Sequence, residues 1–226
     1  MGKKWGQHFI SYALAKYIAS FAYGKVLEIG AGDGRITRHI NADEIWVVEI
    51  DKRFCEELDK LGVHVICKDF LRVKSFEVDV ILGSIPYYIS SQIVFKLKEW
   101  TFKEAYLVLQ YEFAKKMCAK PGQSNYGRLS VTSQLFYDVK FIRKISRHAF
   151  TPKPKVDSAL IKLEKRKGHV SDELLELIRL LFSHKNKKIK NILDKCPEDL
   201  CNKRPRHMSV EEIKRLLSSM GPLDQR

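Results

Sequence analysis

Three glycines at alternate positions, Gly30, Gly32 and Gly34, follow the apolar run Val26-Leu27-Glu28-Ile29. A strand that ends in Gly-x-Gly lets the backbone approach a ligand closely, because glycine accepts positive φ and has no side chain in the way. The residue after the third glycine is Arg35, where a dinucleotide fingerprint wants a small residue, and this weighs against NAD. Glu49 ends the next apolar run. A carboxylate there can accept hydrogen bonds from both hydroxyls of a ribose, whether of NAD, FAD or S-adenosylmethionine; its plain alternative is a solvated strand end. Asp69, after a third such run, reads either as an acceptor for an adenine amino group or as an ordinary turn or cap aspartate.

Ser84-Ile85-Pro86-Tyr87 closes a fourth run. Asp, Asn or Ser, then an apolar residue, a proline and an aromatic at a strand end resembles motif IV of the S-adenosylmethionine-dependent amino-methyltransferases. An exocyclic amine is a poor nucleophile because its lone pair is delocalised into the ring. Acceptors on its two N–H bonds draw it towards a tetrahedral geometry and bare the lone pair. The resemblance makes the Ser84 side chain and the Ile85 carbonyl those acceptors, with Pro86 fixing the turn and Tyr87 stacking on an extruded base. The plain alternative is a proline turn beside an incidental aromatic.

The runs that carry these residues alternate with helix-like spacing through the first two-thirds of the chain, the pattern of an α/β fold with a mainly parallel sheet. Strands are expected at residues 26–29, 45–50, 63–67, 78–82, 105–109, 139–145 and 159–163. Helices are expected at 35–40, 52–61, 90–97 with Ser90 as N-cap, and 112–119. After Gly168 the strand signal stops. Leu174, Leu177, Ile178 and Leu181 space residues 171–183 as an amphipathic helix. Shorter helices are expected at 189–193 and 209–217, the last opened by a Ser209/Glu212 capping box. The expected domains are residues 1–168 and 169–226.

Together the motifs resemble the KsgA-type small-subunit rRNA adenine N6-dimethyltransferases, in their archaeal and eukaryotic branch. Gly6-Gln7-His8-Phe9-Ile10 is similar to the family's N-terminal G-Q-N-F-L, residues 28–34 to its motif I, Val48-Glu49-Ile50-Asp51 to its motif II, and Asp69 to its motif III acid. Tyr126-Gly127-Arg128-Leu129-Ser130-Val131 matches its YGRLSV. FTPKPKVDS, from Phe150 to Ser158, is similar to its F-x-P-x-P-K-V-D-S, and residues 182–188 to its basic F-x-x-R-R-K helix. The resemblance implies a Rossmann-like class I methyltransferase domain with a seven-stranded sheet, followed by a small helical domain that contacts rRNA. It implies S-adenosylmethionine as cofactor, held by His8, Ile10, Gly30, Gly32, Glu49, Ile50, Asp69, Phe70 and Ser84. Ser84, Ile85, Pro86 and Tyr87 become the catalytic wall, with Phe150 either on the other face of the base or simply in the core. The implied substrate is a pair of adjacent adenines in the 3′-terminal helix loop of small-subunit rRNA, each dimethylated during subunit assembly. Serine at 84 and histidine at 8 stand where the family has asparagine.

Across 226 residues, 41 Lys and Arg outweigh 27 Asp and Glu by +14, which points to a polyanionic partner, nucleic acid ahead of an anionic membrane surface, with a solubility device as the plain alternative. The densest run holds Lys185, Lys187, Lys188 and Lys190, with Arg204 and Arg206 behind it. These six, with Lys153 and Lys155, are the expected RNA contacts. No apolar run approaches the roughly 18 residues of a membrane span, and no signal-type segment opens the chain. A cytoplasmic monomer acting on the pre-small ribosomal subunit is expected, without a membrane partner. Five cysteines without a C-x-x-C pair read as reduced thiols, and no metal-ligand spacing occurs. Three rivals remain. A macrolide-resistance-type methyltransferase of 23S rRNA shares the I-P-Y and P-K-P-K-V segments. An NAD-dependent oxidoreductase leaves residues 84–87 idle, and a ribosome-assembly factor would bind rRNA with weakened turnover.

Overall fold

The β-branched runs of the first two-thirds do form a seven-stranded sheet in the computed structural model, which describes residues 8–220. Gly6 and Gln7 of the N-terminal motif lie outside the described residues. In chain order the elements are β1 (Phe9–Ile10), α1 (Tyr12–Ala19), β2 (Lys25–Ile29), β3 (Glu44–Glu49), α2 (Lys52–Asp59), β4 (His64–Cys67), β5 (Val80–Ser84) and α3 (Ser90–Lys96). There follow β6 (Glu104–Gln110), α4 (Tyr111–Cys118), α5 (Arg128–Phe136), β7 (Tyr137–Ile145), β8 (Phe150–Thr151), β9 (Ser158–Lys165), α6 (Asp172–Ser183), α7 (Glu198–Cys201) and α8 (Val210–Met220).

The sheet order is β4-β3-β2-β5-β6-β9-β7, and β1 pairs with β8 in a separate ribbon. Strands β2 to β6 run parallel, while β9 is antiparallel to β6. The chain moves outward from β2 through β3 to β4, then returns to place β5 on the other side of β2. Open α/β sheets bind ligands at the carboxyl ends of such a switch point. Register lines those ends up: Ile29 lies opposite Val48 and Gly83, Glu49 opposite Cys67, and Ser84 opposite Val108. Gly83 permits the close fit there, since a Cβ would come within 2.9 Å of the Ile29 carbonyl oxygen. The central strands read as continuous apolar runs because both their faces are covered; Val26, Leu27, Val80, Ile81, Leu82 and Leu107 are fully buried. Leu14, Ala15 and Ile18 of α1 pack on this core.

The chain up to Ala114, with Lys140–Lys165, forms one compact unit; Lys115–Val139 and the chain from Arg166 on form a second. The chain thus passes between the units three times, after Ala114, Val139 and Lys165, whereas the expected division has a single boundary near residue 168. Helix α5, which belongs to the second unit, escaped the periodicity reading because its buried face includes Ser130 and Ser133. Their hydroxyls donate to the Lys116 and Leu129 carbonyls at 2.5 and 2.7 Å, which makes burial tolerable. Tyr126, Val131 and Leu135 join Leu177, Ile178, Leu181 and Ile213 in one core. The Ser209/Glu212 box forms in both directions, with bonds of 2.9 and 3.1 Å.

Three expectations are corrected. Residues 35–40 make only a 3-10 turn, Thr37–His39, because the Thr37 hydroxyl and the Arg35 side chain are drawn into other contacts. Ser90 is not the cap of α3: Ile89 takes that position, and the Ser90 hydroxyl donates to the Pro86 carbonyl at 3.2 Å. Nor are the cysteines all reduced. Cys55 is bonded to Cys67, with Cα atoms 5.8 Å apart, and Cys196 to Cys201, at 5.4 Å. Composition cannot show this, because α2 folding back on β4 is what brings the first pair within bridging distance. Cys118 is the free cysteine, its thiol pushed up to about 11 by burial.

Candidate active site

At the switch point lies a cavity of about 340 Å³, within the range of small-molecule sites. His8, Ile10, Gly30, Gly32, Glu49, Ile50, Asp69, Phe70, Ser84, Ile85, Pro86, Tyr87 and Phe150 all line it. The loop after β2 turns through positive φ at Gly30, Gly32 and Gly34, 71°, 54° and 75°, which residues with a Cβ rarely adopt. This turn presents the Gly32 amide to Glu49, which accepts it at 2.8 Å. Glu49 also accepts from the amides of Ile50 and Asp51, both at 2.9 Å. Three of about four acceptor positions of the carboxylate are thus in use, which aims it and leaves one for a ligand hydroxyl. Ile50 is exposed beside it. Asp69 takes its cap role, accepting from the Leu71 amide at 3.0 Å, while Phe70 stacks on buried Trp100 at 5.3 Å.

Across the cavity, Ser84 ends β5 with a hydroxyl that makes no hydrogen bond among the described residues. Tyr87 is held from its far edge: its hydroxyl is 2.6 Å from that of Ser158, which is fully buried in β9. Burial raises the Tyr87 phenol's pKa, an effect the Ser158 bond opposes. The His8 ring faces Tyr87 at 24°, centroids 6.3 Å apart, and its Nδ1 donates to the Pro152 carbonyl at 2.6 Å. Phe150 lines the cavity and is 5% exposed, in the same buried cluster as Ile10 and Leu14.

Two more cavity residues carry interactions that pattern reading missed. Glu28 is 1% exposed, and desolvation, with Glu49 and Asp33 adding to it, pushes its carboxyl up to about 8. The Thr37 hydroxyl donates to it at 2.6 Å. Arg35 donates from Nε to Asp33 at 2.8 Å and from Nη1 to the Ile10 carbonyl at 2.7 Å. Ser158 sits in the FTPKPKVDS motif, but its partner lies 71 residues away and no spacing rule points to it.

In the second unit the two basic runs meet. The Arg206 amide donates to the Lys185 carbonyl at 3.4 Å and the Ile189 amide to the Lys203 carbonyl at 2.9 Å. Among the described residues, Lys185, Lys187, Lys188, Lys190, Arg204 and Arg206 form no ion pair. In the first unit Lys153 and Lys155 are exposed. Among the described residues no cluster of His, Cys, Asp and Glu could hold a metal, and no helix is long and apolar enough to cross a membrane.

A sequence profile described as ribosomal RNA adenine dimethylase matches residues 6–216. A probable ribosomal RNA small subunit methyltransferase A from Methanococcus maripaludis is 41% identical over 181 residues, covering 74% of this chain and 69% of that protein. The protein of the same name from Methanopyrus kandleri is 34% identical over 254 residues, covering 96% and 91%. Among solved structures, a dimethyladenosine transferase from Plasmodium falciparum superposes with a TM-score of 0.85 at 28% identity, over 94% of this chain and 97% of that one. The 23S rRNA methyltransferase ErmE superposes at 0.76 with 29% identity, over 96% and 100%.

Proposed function

The chain belongs to the ribosomal RNA adenine dimethylase family, and on that premise we propose that it transfers methyl groups from S-adenosylmethionine to N6 of adenines in small-subunit rRNA. Two adjacent adenines of the 3′-terminal helix loop each receive two methyls during assembly of the subunit. The observation that carries the reading is the pairing, in one cavity, of a nucleoside-binding wall at Gly30–Glu49 with the unpartnered Ser84 hydroxyl and the anchored Tyr87 ring. Relatives named for the small subunit, at 34–41% identity, favour that substrate over the 23S rRNA of ErmE.

The cavity fits the cofactor: Glu49 has an acceptor position left for a ribose hydroxyl, the glycine loop exposes backbone, and Ile50 offers an apolar face to adenine. Ile10, Gly30, Gly32, Asp69, Phe70 and Ser84 complete that wall, with His8 beside it. When bound, S-adenosylmethionine supplies an electrophilic methyl on sulfonium. The chain's part is to hold the amine in line. The Ser84 hydroxyl and the Ile85 carbonyl accept the two N6–H bonds, Pro86 sets the turn between them, and Tyr87 stacks on the base with Phe150 behind it. As the N–C bond forms and the S–C bond breaks, the amine becomes acidic and its proton leaves through Ser84 or water. No strong general base is needed. The six unpaired cations of the second unit, with Lys153 and Lys155, contact phosphates without reading sequence.

Label transfer to small subunits that lack the modification tests this, with the product nucleoside identified by mass. Dimethyladenosine is the expected product. Labelling of large subunits instead would favour the ErmE-like reading, and tight binding without dimethyladenosine an assembly factor. Ser84→Ala should slow transfer about tenfold, the worth of one neutral hydrogen bond; unchanged rates for both methyl additions would remove Ser84 from the mechanism.

A further inference from the structure

We infer that Arg35 is a positioning residue for the cofactor: its guanidinium clamps the N-terminal strand β1 over the glycine loop. This rests on the methyltransferase reading and adds to it a residue that the family motifs leave without a role. The strand β1 has two residues, paired only with the two of β8 through Phe9↔Thr151 and Ile10↔Phe150. A ribbon that short is marginal by itself. Yet it forms one wall of the cavity, and the Phe9 ring lies so close to the loop that a Cβ at Gly32 would come within 3.1 Å of it.

Four interactions converge on Arg35 to hold that wall in place. Its Nε bonds Asp33 of the loop at 2.8 Å, and its Nη1 bonds the Ile10 carbonyl of β1 at 2.7 Å. Its planar group lies 5.4 Å from the Phe9 ring centre and 5.5 Å from that of Tyr12, the first residue of α1. One side chain therefore ties loop, strand and helix start together with charge-assisted hydrogen bonds and two cation–π interactions. Lysine cannot replace it: an ammonium reaches Asp33 or the carbonyl but lacks the flat fork that serves both and stacks as well. The same demand explains why this position departs from the small residue of a dinucleotide loop. Because β1 lines the cavity, the clamp sets how firmly that wall meets the cofactor and so how tightly the cofactor is held.

The test measures binding of S-adenosylmethionine to the full chain by calorimetry, with KM and kcat for methyl transfer, in wild type, Arg35→Ala, Arg35→Lys and Phe9→Ala. Arg35→Ala should weaken cofactor binding about tenfold and Arg35→Lys by less, with the loss falling on the KM for cofactor rather than on the KM for RNA or on kcat. In a Phe9→Ala background the Arg35→Ala loss should shrink, because part of what Arg35 holds is gone. Unchanged cofactor affinity in a folded Arg35→Ala, or a fall in kcat with KM intact, would overturn the inference. If Arg35→Ala does not fold, Arg35→Lys decides by the same two outcomes. A wild-type chain that binds no cofactor would instead overturn the methyltransferase reading beneath it.

Discussion

Glu28 shows how one residue can make the site pH-dependent. Buried beneath the glycine loop with its carboxyl pushed up to about 8, it is protonated in the folded chain at neutral pH and ionises on unfolding. The folded state therefore holds the extra proton. Its contribution to stability is complete below about 4.5 and is lost as pH rises through about 8. Each pH unit in that window costs up to about 1.4 kcal/mol, roughly 2–4 °C in Tm for a chain of this size. Glu28→Gln keeps a partner for Thr37 and cannot ionise, so Tm measured against pH should be flatter from pH 5 to 8 than in wild type. Parallel curves for the two proteins would show that Glu28 is not the group responsible. Most of the site is legible at this scale: residues 84–87, Glu49, Asp69 and the glycines follow from type and spacing, and one cavity gathers them. Arg35 and Ser158 do not, because their roles depend on partners brought near by folding.

At the scale of elements, periodicity located the strands well, since a buried parallel strand is a continuous apolar run whatever it packs against. It failed where short polar segments are held by side chains, as in the 3-10 turn Thr37–His39 and in α5 with its buried serines. It also could not see that α2 returns to β4. The Cys55–Cys67 bridge that results closes the stretch leading to Asp69 on the cavity wall. Closing a loop of 12 residues restrains the unfolded chain by about 3 kcal/mol. Cys55→Ser should therefore lower unfolding stability by about 2–3 kcal/mol in denaturant titrations under non-reducing conditions, and reductant should lower the wild type by at least as much, since it opens Cys196–Cys201 as well. Stability indifferent to both changes would mean that the bridge contributes nothing.

For the molecule as a whole, an excess of +14 foretold a polyanion without saying where it binds. Folding sharpened this by joining two runs, Lys185–Lys190 and Arg204–Arg206, into one face of the second unit without acidic partners among the described residues. If these cations meet phosphates, rRNA affinity should fall steeply with salt, and replacing Lys187 and Lys188 by alanine should reduce the slope of log K against log salt by about 0.7–0.9 for each phosphate no longer neutralised. Salt-insensitive binding would remove the electrostatic account. By itself, the sequence determined the α/β class, the strands of the seven-stranded sheet, the motif residues and the family, because these depend on residue type and local spacing. Tertiary structure alone decided that Arg35 grips β1, that Ser158 anchors Tyr87, that four cysteines pair and that residues 115–139 join the C-terminal helices. Each of those depends on segments distant in the chain meeting at a few ångströms, and local pattern carries no record of that.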